Sequence, residues 1–155
     1  MTRLQLDNNN LNNNQVNIIN DNNTWEIINK LKWYWVAKES PIPTETMGDN
    51  ILQEYPTLNE ISKIKNFVVE KREKLQNLLN GYYMASPQYF KRQWNLDNDS
   101  LFDFCGHIVG LGEVMYQYVS DHPEAVLMLQ NDYTRSFEYA FDVAIWKFSD
   151  IPHVN

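Results

Sequence analysis

The 155 residues carry 20 acidic and 13 basic side chains, a net charge of −7, with 43 % hydrophobic and 14 % aromatic content. That balance excludes wholesale disorder and opposes direct nucleic acid binding, which needs clustered lysine and arginine. The length supports one core and hence a single domain, the lone Cys105 leaves no internal disulfide, and no apolar run approaches the roughly 20 residues of a membrane span. Met1 to Leu6 runs into asparagines without the apolar stretch of a signal peptide, so a cytoplasmic protein away from the membrane is expected.

Residues 1–23 read as a disordered Asn-rich tail, because asparagine side chains compete with the backbone for hydrogen bonds and support neither helix nor core. From Thr24 the spacing becomes helical. Ile27, Ile28, Leu31, Tyr34 and Trp35 share one face, Trp25, Trp33 and Val36 the other, and Pro41-Ile42-Pro43 ends the element. A weaker helix over Thr44–Tyr55 is interrupted by Gly48 and closed by Pro56.

Thr57-Leu58-Asn59-Glu60 forms a capping box for a helix running to about Asn80, where Gly81 supplies the terminating turn. Ile61, Ile64, Phe67, Val68, Leu75, Leu78 and Leu79 make its buried stripe, while Lys63, Lys65, Glu70, Arg72, Glu73 and Lys74 read as a solvated face. Ser86-Pro87 opens a short helix carrying Tyr89, Phe90 and Trp94. Asp97 or Asp99 then caps a helix whose stripe is Leu101, Phe104, Cys105 and Ile108, broken by Gly110 and Gly112.

Short helices follow at Glu113–Tyr118 and from Pro123, and a last one spans Thr134 to Phe148. In it Phe137, Ala140, Phe141, Ala144, Ile145 and Phe148 face inward, with Tyr139, Val143 and Trp146 opposite. The expected fold is therefore all-α: a compact single-domain bundle of about six or seven helices over residues 24–150, behind the tail.

Asp99, Asp103 and His107, spaced i, i+4, i+8, align two carboxylates and an imidazole along one helix face. With Asp97 and Glu113 nearby, they form the chain's one polar constellation, able in principle to serve a divalent metal or acid–base chemistry. The stripe lies opposite the apolar face, so it should point into water, and helix-dipole preferences account for its charges. Cys105 and His107 diverge by about 200° on a helix and do not make a nucleophile–base pair. Gly106, Gly110 and Gly112 match no phosphate-binding spacing; Gly106 reads as a close packing point and the others as a bend.

The central segment resembles the domain-of-unknown-function family 4240, small bacterial domains loosely associated with molybdenum-metabolism-regulator-like proteins. The resemblance rests on Trp25-Glu26-Ile27-Ile28, on Pro56 to Ile61, and on Asp97-Asn98-Asp99, Leu101, Phe104, Ile108-Val109, Gly112 and Tyr116. Asp121-His122-Pro123 and Phe137 to Trp146 extend it, so that it covers about residues 24 to 148. Cys105 stands where the family pattern has an arginine, His107 where it has tryptophan, and Asn95-Leu96 replaces a glycine–cysteine pair. The resemblance implies a helical fold and no defined activity.

Taken together, the residues point to an acidic helical protein-interaction module of regulatory, immunity or inhibitor type, with a protein partner or self-association. Trp25, Trp33, Tyr139, Val143 and Trp146 are its interface candidates. No catalytic residue, metal or cofactor is assigned, and the balance is against an enzyme. One alternative is a small enzyme or metal-dependent domain using the Asp99/Asp103/His107 face; another is a phage-type inhibitor that mimics nucleic acid.

Overall fold

The computed structural model describes residues 20–85 and 94–150. Of the tail expected over residues 1–23, the part before Asn20 lies outside them and Asp21 to Asn23 are helical; the helix expected from Ser86-Pro87 also lies outside them, apart from Trp94. The described chain is all-α: α1 Asp21–Leu31, α2 Trp33–Glu39, α3 Pro43–Glu54, α4 Leu58–Ala85, α5 Asn98–Gly110, α6 Glu113–Asp121, a 3-10 turn Pro123–Ala125, α7 Val126–Leu129 and α8 Glu138–Asp150.

The aromatic helix expected from Thr24 is two helices. α1 begins at Asp21, where Asn20 and Asn23 exchange side-chain to backbone hydrogen bonds of 2.9 and 3.2 Å as a reciprocal cap. It stops at Lys32, whose φ of 55° and ψ of 50° are left-handed. One such residue resets the helical register. The expected grouping of Tyr34 and Trp35 with Leu31 is thereby broken, and Trp33 turns fully inward while Tyr34 and Trp35 face out.

α3 runs through Gly48 without interruption. A Cβ there would lie 2.6 Å from Val143 Cγ1 and 3.2 Å from the Ala140 carbonyl oxygen, so the glycine lets α3 and α8 approach closely. The capping box opens α4 as expected: Thr57 Oγ1 accepts from the Glu60 N–H at 3.2 Å and donates to Glu60 Oε1 at 2.7 Å. Gly81 does not end this helix. α4 continues to Ala85, and among the described residues none comes within 4 Å of where a Cβ at Gly81 would lie.

Two apolar clusters share α4 as a common wall. Its first half joins Trp25, Ile28, Trp33, Met47, Ile51, Phe137 and Phe141 through Ile61, Ile64, Phe67 and Val68. Its second half meets Leu96, Leu101, Phe104, Cys105, Ile108, Val119 and Val126 through Leu75 and Leu79. α5 lies between them, giving Val109 to one cluster and Ile108 to the other.

At this junction Arg72 is buried rather than on the solvated face expected of it. Its Nε donates to Glu138 Oε1 at 2.9 Å, Nη1 donates to Gln76 at 3.0 Å, and the guanidinium stacks 4.1 Å from the Phe102 ring centre. A guanidinium can enter a core on these terms because its charge is matched and its flat face meets an aromatic.

Candidate functional site

α5 starts at Asp97, whose carboxylate accepts the Ser100 N–H at 2.8 Å and is held below the usual carboxylate range by that bond. Asp99 is exposed in the first turn. Asp103 is half-buried, and desolvation pushes its carboxyl up against the pull of the Ser136 N–H and Arg135. Glu113 stands exposed beyond the Gly112 bend.

His107 departs from the expected wet stripe, being only 6 % exposed. Two glycines on α5 explain this. A Cβ at Gly106 would sit 2.2 Å from Ser136 Oγ, and one at Gly110 would sit 2.7 Å from both Phe137 and Trp33. The bare backbone lets Ser136, Phe137 and Trp33 close over a side of the helix that its charges had marked as outer. Among the described residues no group of three or more His, Cys, Asp or Glu converges as a metal site would require.

The indole Nε1–H of Trp33 donates to His107 Nδ1 at 2.8 Å, 74 residues apart in sequence and wholly inside the protein. An indole N–H only donates, so Nδ1 is the unprotonated nitrogen and the proton of the neutral ring sits on Nε2. Burial lowers the imidazole to about 4, only weakly opposed by the Asp132 charge. Cys105, two residues earlier, is fully buried and its thiol is pushed up strongly by desolvation. It is a core side chain, not a nucleophile.

His107 also forms part of the wall of a cavity of about 640 Å³. The cavity opens between α2, the end of α5, the start of α6 and the segment after α7. Ala37, Ile108, Leu111, Val114, Met115 and Leu129 give it an apolar lining. Tyr34, Lys38, Asp132, Tyr133 and Thr134 contribute the polar groups, with Lys38 Nζ donating to the Tyr34 hydroxyl at 2.9 Å.

Of the interface candidates, Trp25 and Trp33 belong to the core. Trp25 packs edge-on against Phe67, with ring centres 5.2 Å apart, and Trp33 is tilted on Phe137 at 5.4 Å. Neither offers a face to a partner: Trp25 is covered by Phe67 and Tyr116, and the break at Lys32 with the bareness of Gly110 gives Trp33 its room inside. Val143 is half-buried against Gly48. Tyr139, under the Arg135 guanidinium, and Trp146 remain exposed at 41 % and 60 %.

The cavity was not foreseen from the sequence, although two of its signals were visible: the apolar Val114-Met115 pair just beyond the Gly112 bend and Glu113, and a histidine in an otherwise apolar run. No family model, no curated protein and no solved structure matches this chain.

Proposed function

We propose that the chain is a helical binding module whose working site is the cavity beside His107. The observation that carries this reading is the combination of an apolar space of about 640 Å³ with a few polar groups at its edge. Small-molecule sites are typically about 300–1,000 Å³, chiefly apolar and furnished with a small number of oriented polar groups. The dispersed carboxylates Asp97, Asp99, Asp103 and Glu113 favour binding over acid–base or metal chemistry at α5.

Titrating the full chain with small aromatic fragments and following backbone amides by NMR tests this. Shifts should cluster at 34–38, 107–115 and 129–134. Ala37→Trp, which fills the cavity from α2, should abolish them while leaving the helical circular dichroism intact. Shifts scattered over the surface, or none with any fragment, would defeat the reading.

A second reading, a protein-interaction module, is favoured by Trp35 and Trp146, which are 59 % and 60 % exposed. Large indoles in water are frequent anchors of protein interfaces. Trp35→Ala and Trp146→Ala should then weaken self-association in sedimentation experiments without lowering thermal stability.

A further inference from the structure

We propose that the cavity takes an uncharged, chiefly apolar molecule bearing a hydrogen-bond acceptor of the carbonyl type, and that the Nε2–H of His107 meets that acceptor. This rests on the reading of the cavity as a binding site and specifies its ligand.

The acceptor follows from the tautomer. Trp33 occupies Nδ1, which places the proton on Nε2, and Nε2 has no hydrogen-bond partner among the described residues. His107 is 6 % exposed and lines the cavity, so an apolar occupant that displaced solvent from this donor would leave it unpaired, whereas an acceptor on the occupant pairs it. Because Trp33 also fixes the ring plane, the donor is oriented before anything binds. Preorganisation of that kind favours affinity.

The absence of charge follows from the walls. Lys38 and Asp132 bring one positive and one negative group to the cavity, and the Lys38 ammonium is already donating to Tyr34. The imidazole beside them is neutral, so it offers a carboxylate no cation. An ion of either sign would meet one opposite and one like charge, so the walls return little for its desolvation. The remaining lining, from Ala37 and Ile108 to Val114 and Leu129, rewards apolar area alone.

The experiment compares three naphthalenes of nearly equal size on the full chain: 2-acetonaphthone, 2-ethylnaphthalene and 2-naphthoate. Affinity is read by amide shifts and His107 by its imidazole ¹⁵N resonances. The ketone should bind roughly ten-fold more tightly than the hydrocarbon, the effect of one added hydrogen bond, and more tightly than the carboxylate. On adding the ketone, Nε2 should shift while Nδ1 keeps the position of an unprotonated, hydrogen-bonded nitrogen.

Equal binding of ketone and hydrocarbon, or ketone binding with an unmoved Nε2, overturns the acceptor assignment while leaving the binding site standing. Tightest binding by 2-naphthoate overturns the assignment of an uncharged ligand. No binding of any of the three at millimolar concentration overturns the site as well. The ¹⁵N readout uses the unaltered protein, so the outcome does not depend on a His107 variant folding.

Discussion

Trp33 and His107 join the first helical pair to the last turn of α5 through one buried hydrogen bond of 2.8 Å, the indole N–H donating to Nδ1. Each residue needs the other. The indole requires an acceptor in an apolar surrounding, and the imidazole, neutral through its burial, is held in one tautomer by accepting that hydrogen bond. Trp33→Phe should therefore cost more than the lost ring volume. Cavity formation together with an unmatched Nδ1 predicts a loss of about 2–4 kcal/mol, measured by urea unfolding. The His107 ¹⁵N pattern should also change from one tautomer to a mixture. An unchanged pattern would show that Trp33 does not select it.

Acid should unfold this protein earlier than its carboxylates alone require. The imidazole lies at about 4 in the folded chain, against an ordinary 6.5. Between these values the unfolded chain binds a proton that the folded chain refuses. The folded state is thus unpenalised above about pH 6.5 and loses stability as the pH falls towards 4, by up to about 3 kcal/mol. Asp103 acts in the opposite sense, since its raised carboxyl favours the folded state as it protonates, from above the ordinary carboxylate value downward, and so offsets part of this loss at the acid end. Unfolding free energies at pH 7 and pH 4.5 test the sign; a flat profile between them would contradict a buried neutral His107.

Lys32 is the described non-glycine residue with positive φ, at 55°. A side chain in this conformation is strained by roughly 1–2 kcal/mol, part of which glycine returns to a more flexible unfolded chain. Lys32→Gly should therefore raise stability by about 0.5–1 kcal/mol, read as an increase in melting temperature. Lys32→Val should lower it, because a β-branched side chain fits this region worst.

What the sequence made legible was the periodic part of the fold. The Thr57–Glu60 box, the α4 stripe except Leu78, which is 39 % exposed, the Asp97 cap and the inward Phe137, Ala140, Phe141 and Ala144 follow from spacing and capping chemistry. The parts it concealed depend on contacts between distant segments. Lys32 carries no mark of a left-handed turn, so the face containing Trp33 could not be assigned from the helical period. Gly48, Gly106 and Gly110 are compatible with helix breaks or with close packing, and only Val143, Ser136 and Phe137 decide between them. Arg72 and His107 read as outer residues because their partners, Glu138 and Trp33, lie 66 and 74 residues away.

The same reasoning makes Gly106 a sensitive position. A methyl group there would lie 2.2 Å from Ser136 Oγ and 3.1 Å from its Cβ, so the hydroxyl must rotate away from the Glu138 N–H it accepts at 3.2 Å, or α5 and the segment before α8 must part. Gly106→Ala should destabilise the fold by about 1–3 kcal/mol despite its better helix propensity. Ser136→Gly, which removes both opposing atoms, should recover part of that loss in the double variant. Since His107 is the next residue, the single variant should also disturb the His107 ¹⁵N resonances, and the double variant should restore them.

Arg72 and Glu138 provide the corresponding test at the junction of the two clusters. Their side chains are 10 % and 11 % exposed and 2.9 Å apart at the closest atoms, so removing one leaves the other charged and unmatched in a poorly solvated place. Arg72→Met or Glu138→Met alone should cost about 3–5 kcal/mol, whereas a double replacement by methionine of similar reach should cost much less. Arg72 also gives its flat face to Phe102 and a donor to Gln76, which the methionine at 72 replaces only by packing. The double variant should therefore be destabilised by an amount well below the sum of the single ones, with a coupling energy above about 1 kcal/mol in a double-mutant cycle. Strict additivity would mean that the pair contributes nothing beyond its two separate environments, and that α4 and α8 are held together by Lys65–Asp142 and the apolar contacts of Phe137 and Phe141 alone.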